Sequence, residues 1–193
     1  SALRVLALNL ADHLKGADVA LPDVAYTAAV GRAHLLDRIA LVTKSGVELL
    51  SVLERFAAGH PVDGLMANQL PNLDPMPVAF RLGLATPDSA AIARELGLAS
   101  PVFKSAFARV TDLLRPHLNA AWDPVGPTVD RTEIDASSFA LQVASIEMWR
   151  AWGVEAAAVG GAGVGECAAV WAAGILTIED AGLLVAARAA VLG

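Results

Sequence analysis

The sequence holds one cysteine, Cys167, among 193 residues, so no internal disulfide can form, in keeping with a reducing compartment. No uninterrupted apolar run reaches the roughly 20 residues that span a bilayer, and the N-terminus lacks a basic region followed by an apolar core and cleavage site. A cytoplasmic protein without a membrane segment is expected. Basic residues are few and scattered: 14 Lys and Arg against 20 Asp and Glu, a formal charge of -6. Nucleic acid is therefore not an expected partner, because phosphates call for clustered Lys and Arg. The four histidines, His13, His34, His60 and His117, fall on different predicted elements with no HxxxH or HxH spacing, so no metal site is expected. No cofactor is expected either.

Apolar residues make up 55% of the chain, much of that share alanine, and charged residues only 18%. That balance excludes disorder and predicts a helical globular protein, long enough for one sizeable core or two small domains. From Leu3 to Leu14, apolar residues at 3, 6, 10 and 14 give a helical face, with Gly16 as the stop. Pro22 opens a second helix that ends near Gly31. Arg38 to Val42 reads as a short strand closed by the turn Lys44-Ser45-Gly46. Ser45 caps the helix that follows and runs to Gly59, with Glu48 completing a capping box. Gly59 to Pro77, rich in Pro, Gly, Asn and Asp, reads as a connector with little regular structure, and the domain boundary is placed near Leu73.

Beyond it, Pro77 to Phe80 begins a strand. Ser100-Pro101 caps and opens a helix with a buried stripe at 103, 107, 110, 113 and 114. Trp122 to Ile134 reads as a loop. Ser137 to Trp152 reads as a helix whose core face carries Leu141, Ile146, Met148 and Trp149, with Ser137-Ser138 as its cap rather than a nucleophile. Trp122, Trp149, Trp152 and Trp171 read as core or groove residues.

The stretch Val154 to Arg188 is laid out as a nucleophile elbow. An apolar run ends at Val159, glycines stand at 160, 161, 163 and 165, and an Ala-rich sequence from Cys167 can start a buried helix. In the G-x-S-x-G elbow a Ser stands at the apex, at a helix N-terminus. Gly163 holds that place here, with no side chain to attack a carbonyl. Cys167 lies one helical turn further on, where a dipole-activated thiolate is conceivable, but a small buried residue beside Glu166 is the plainer reading.

Gly161-Ala162-Gly163-Val164-Gly165-Glu166, followed by CAAVWAAGILTIEDA, resembles the GHSxGE block of the malonyl-type acyltransferase domains of modular polyketide and fatty acid synthases. RELGLASPVF (94 to 103) and WRAWGVEAAAVGG (149 to 161) resemble further segments of that family. Asp23 to Gly59 resembles the linker that joins a ketosynthase to such an acyltransferase. The resemblance implies a helix-rich α/β fold: a small α/β linker domain over 1–72, packed against a truncated acyltransferase, α/β-hydrolase-like half-domain over 73–193 with a short parallel sheet.

The family's reaction needs a Ser nucleophile, a His general base, a Gln that helps hold the oxyanion, and an Arg that pairs with the malonyl carboxylate. Against that pattern Gly163 replaces the Ser, Ala162 the adjacent His, and Ala85 the Gln, and no Gln lies between Phe80 and Phe103. The half of the domain that carries the base is expected to be absent. Arg188 falls where the resemblance places the carboxylate-binding Arg, as a vestigial substrate contact or simply a pairing Arg on an apolar helix. The expectation is a catalytically inactive acyltransferase-like piece of a polyketide synthase with a structural or docking role. Its partners would be a ketosynthase, an acyl carrier protein or a trans-acting acyltransferase, with a homo-oligomer left open. The alternatives are residual acyl-CoA acyltransferase or hydrolase activity through another nucleophile, and a passive evolutionary remnant.

Overall fold

A computed structural model describes residues 1–16, 19–70, 76–86 and 88–192, with the side chains of 189–192 excepted. It divides into two compact units, Ser1–Pro75 and Met76–Gly193. The boundary expected near Leu73 lies outside the described residues.

The first unit runs α1 (Ala2–Gly16), α2 (Leu21–Val30), β1 (Asp37–Leu41), α3 (Gly46–Ala57) and β2 (Leu65–Gln69). Its core is small: Ala7 and Ala11 of α1 against Leu49 and Leu53 of α3, edged by Leu10, Leu14, Ile39 and Phe56. Alanines let the two helix backbones approach closely, so the buried face of α1 is set by Ala7 and Ala11. Leu6, expected on that face, is 60% exposed. Ser45 caps α3 by accepting from Glu48 N at 3.2 Å. The Glu48 carboxylate reaches past Ser45 to accept from Lys44 N at 3.0 Å and Thr43 Oγ1 at 2.9 Å, and these donors hold its carboxyl below the usual range.

The expected connector is not featureless. Leu65–Gln69 forms β2, antiparallel to β1 with Leu41 opposite Leu65 and Asp37 opposite Gln69. A single five-residue strand leaves its ladder groups unpaired, so β1 recruits a partner, and Leu70 N donating to Leu36 O extends the pairing. Only Leu65 of β2 is even half-buried, which is why no alternation marked it.

The second unit runs β3 (Val78–Leu82), α4 (Ser89–Ala99), α5 (Pro101–Leu114), a 3-10 turn (Arg115–His117), α6 (Arg131–Ala151), β4 (Ala156–Gly161), α7 (Val164–Ala172) and α8 (Ile178–Leu192). β3 and β4 pair in parallel, Phe80 beside Val159 and Leu82 beside Gly161. Phe103, Val110, Phe139, Ala140, Val143, Ala144, Val164 and Ala168, all sealed from solvent, form one core between α5, α6 and α7. Ser100 caps α5 as expected, accepting from Phe103 N at 3.2 Å.

Two expectations about α6 are corrected. It begins at Arg131, within the expected loop, because Asp130 accepts from Thr132 N at 2.8 Å and Glu133 N at 3.1 Å, an N-cap that starts the helix early. Ser137 and Ser138 therefore do not cap it. They are buried within its body, and Ser138 Oγ shares a hydrogen bond with Ser89 Oγ at 2.7 Å. Ile146 and Met148 are buried, whereas Trp149 is 43% exposed and meets Trp152 edge to face at 5.2 Å. Among the described residues no helix is long and apolar enough to cross a membrane.

Candidate active site: an elbow without a nucleophile

β4 delivers the chain to the turn. Ala162 N donates to Leu82 O at 3.1 Å, and Gly165 N and Glu166 N then fold back onto the Ala162 and Gly163 carbonyls, each at 3.1 Å. This tight reversal takes the strand directly into α7. Gly163, at its apex, has φ 61° and ψ −125°, a conformation costly for residues with a side chain. No other residue type adopts positive φ among the described residues.

The three glycines of G-x-G-x-G meet different surroundings. A β-carbon on Gly161 would run into the Gly165 carbonyl, and one on Gly165 would stand 2.6 Å from Leu82 O and 2.7 Å from Gly83 O. Both obstacles are main chain and cannot swing aside. At Gly163 the obstacle is the tip of a side chain, Leu84 Cδ2 at 2.7 Å, with Arg188 Nη2 at 3.6 Å behind it. Where a nucleophile would begin, a leucine methyl now reaches in.

Arg188 comes to the apex from α8, and its guanidinium pairs with Asp135 of α6: Nε lies 3.7 Å from Oδ2, and the Asp135 side chain is only 2% exposed. Arg131 Nε donates to the other oxygen, Oδ1, at 3.0 Å. Ala85 follows Leu84 and rests half-buried against the core. Gln142 of α6 donates to Gly83 O at 2.9 Å, steadying the strand end beneath the turn. Cys167, one turn into α7, is a free thiol and buried; burial pushes it above its ordinary value, opposed by the nearby Arg188 charge.

The fold thus brings Gly163 and Arg188 together, with Ala162 in the turn and Cys167 beneath it. His117, the second unit's one histidine, sits in the turn that ends α5. Trp122 is a core residue, as expected, whereas Trp152 is exposed. Among the described residues no group of three or more His, Cys, Asp or Glu side chains could hold a metal ion. Two residues that shape the site escaped sequence reading. Leu84 carried no signal, but Asp135, followed directly by the uncharged stretch ASSFAL, had the mark of a buried charge in need of a cation.

A strand-turn-helix elbow on a parallel pair, backed by a helical core, is the layout of a nucleophile-elbow domain. Residues 38–192 match the acyl transferase domain model and residues 1–60 match the RhiE-like, KS-MAT linker domain. The chain belongs to the acyl transferase domain family, with a linker of that type at its front. It is 32% identical over 205 residues to the erythronolide synthase EryA2 of Saccharopolyspora erythraea, across 100% of this chain and 6% of that protein. To the spectinabilin polyketide synthase system protein NorA of Streptomyces orinoci it is 33% identical over 199 residues, 98% of this chain and 10% of that protein. The acyltransferase domain from module 8 of the salinomycin polyketide synthase superposes with a TM-score of 0.79 at 31% identity, over 99% of this chain and 47% of that one. The chain therefore spans about half of a solved acyltransferase chain and a small part of each synthase. The expected linker, the family and the helix-rich α/β architecture with its short parallel sheet all hold.

Proposed function

We propose that this chain is a catalytically silent acyltransferase-like part of a polyketide synthase, kept for structure and docking rather than for acyl transfer. The observation that carries the reading is the apex: the elbow keeps its glycine-dependent turn, yet position 163 offers no nucleophile and Leu84 fills the space in front of it. Acyl transfer also needs a base and oxyanion donors acting with the nucleophile as a unit. By the resemblance, Ala85 stands where the oxyanion Gln belongs and Ala162 where the His beside the nucleophile belongs, and neither side chain can donate a hydrogen bond.

Docking on a ketosynthase is supported by the linker match over residues 1–60, with a carrier protein or a trans-acting acyltransferase as the other candidates. We place this work in the cytoplasm, where the lone thiol stays reduced. Incubation with malonyl-coenzyme A followed by intact mass measurement tests the silence, and the expected spectrum has no acyl adduct. An adduct would overturn the reading. Size-exclusion against the cognate ketosynthase, carrier and acyltransferase tests the docking role, which fails if none of the three co-elutes.

A further inference from the structure

We propose that Asp135 is an internal counter-ion that withdraws Arg188 from ligand binding, so that the corner beside Gly163 rejects small carboxylates and carboxylated acyl groups. Arg188 is the cation that an anion at the apex would meet, since its Nη2 reaches to 3.6 Å of the point where a side chain on residue 163 would start. Its side chain is 30% exposed. Through its Nε the same guanidinium already faces the Asp135 carboxylate, which is only 2% exposed.

The two oxygens of Asp135 are compensated differently. Oδ1 accepts from Arg131 Nε at 3.0 Å, and Arg131 lies on the same helix with 59% of its side chain exposed. Oδ2 lies 3.7 Å from Arg188 Nε, and this second cation comes across from α8. A buried carboxylate that loses one of its cations is left uncompensated where the dielectric is low. An incoming carboxylate would thus have to share Arg188 with Asp135, against the repulsion of the like charge already held beside that guanidinium. The arrangement extends the silent-elbow reading from chemistry to recognition. It rests on that reading only in that non-covalent binding is the one event left to consider.

The test is an equilibrium one on the full chain, with sodium malonate as the probe and the Arg188 Nε–H resonance, assigned by its loss in Arg188→Lys, as the readout. In the wild type the resonance should not move saturably. In Asp135→Asn, which keeps the side chain's shape and an acceptor for Arg131, malonate should bind about tenfold tighter or more, and adding Arg188→Ala should abolish that binding. Saturable, Arg188-dependent malonate binding by the wild type overturns the proposal, as does a folded Asp135→Asn protein that binds no tighter. If Asp135→Asn does not fold, the wild-type resonance decides alone: displaced by malonate, the proposal is wrong; unmoved, it stands. Malonate cannot acylate, so failure of the silent-elbow reading shows up separately, as an adduct with malonyl-coenzyme A.

Discussion

Gly161 and Gly165 face main chain, whereas Gly163 between them faces the movable tip of Leu84. The outer pair is fixed by the path of the backbone: the strand end at Leu82 and Gly83 crowds Gly165, and the first turn of α7 at Gly165 and Glu166 crowds Gly161, so that no β-carbon fits at either. The apex has no such lock. The geometry of the turn and the chemistry at its tip are therefore separable, and a chain can keep the first while giving up the second. Here the outer glycines answer to neighbouring main chain, whereas the apex glycine answers to its own positive φ and to one movable side chain.

The largest effect that would break this comparison is expected at the outer glycines. Gly165→Ala places a methyl group against two carbonyl oxygens, an overpacking without a relaxed alternative, and should destabilise the second unit by about 3 kcal/mol or more. Chemical denaturation followed by Trp fluorescence measures it; a loss below about 1 kcal/mol would mean that the backbone there gives way. Gly163→Ser should cost roughly 2 kcal/mol, for a side chain at φ 61° and a displaced Leu84 tip. The protein should stay folded and still form no adduct with malonyl-coenzyme A, because a lone Ser without its base and oxyanion donors is not activated. A serine-linked acyl group by mass spectrometry would show that only one atom group separates this elbow from activity.

The same contrast divides what could be read from sequence from what could not. Helix starts at Ser45 and Ser100 were legible because a cap is a contact across three residues. The strand-turn-helix at 156–172 was legible from its glycines and the apolar runs on both sides. A role imposed by a distant partner leaves less trace in the local sequence. β2 exists because β1 needs a neighbour, and nothing in LMANQ says so. Leu6 looked like core until the close approach of α3 selected Ala7 and Ala11 in its place. The start of α6 is the local exception: Asp130 caps it across two and three residues, but the polar, Pro-containing sequence before it masks the signal. At the site, Gly163, Ala162, Ala85 and Arg188 were named from resemblance, but Leu84 and Asp135 act across the fold and only the packed structure brings them in.

A smaller effect is expected one turn below the apex, where Cys167 is buried and its thiol is pushed up by desolvation. The folded state holds the proton more tightly than the unfolded chain, so the contribution is complete below the unfolded thiol's pKa of about 8.5 and is lost as pH rises past it. Stability should therefore decline as pH rises above the unfolded thiol's value, and Cys167→Ala should flatten that decline. Iodoacetamide should modify native Cys167 slowly at pH 8 and rapidly once the chain is unfolded. Equal rates in the two states would place the thiol at the surface and remove the distinction between an open apex and a sealed helix beneath it.

The smallest effect belongs to Leu84, and it bears most directly on why the apex is free to vary. Leu84 is 62% exposed, so Leu84→Ala in the wild type removes little buried surface and should change stability by less than about 0.5 kcal/mol. In the Gly163→Ser background the same substitution removes the atom that the new β-carbon meets, and part of the cost of the serine should return, by about 0.5 to 1 kcal/mol of coupling between the two sites. A double-mutant cycle reads this directly from the four unfolding curves. Non-additivity of that sign would mean that the obstacle at 163 is a side chain that drifted into vacated space. Strict additivity would mean that the cost at the apex comes from its own positive φ and not from Leu84, and the movable side chain would then play no part in holding Gly163.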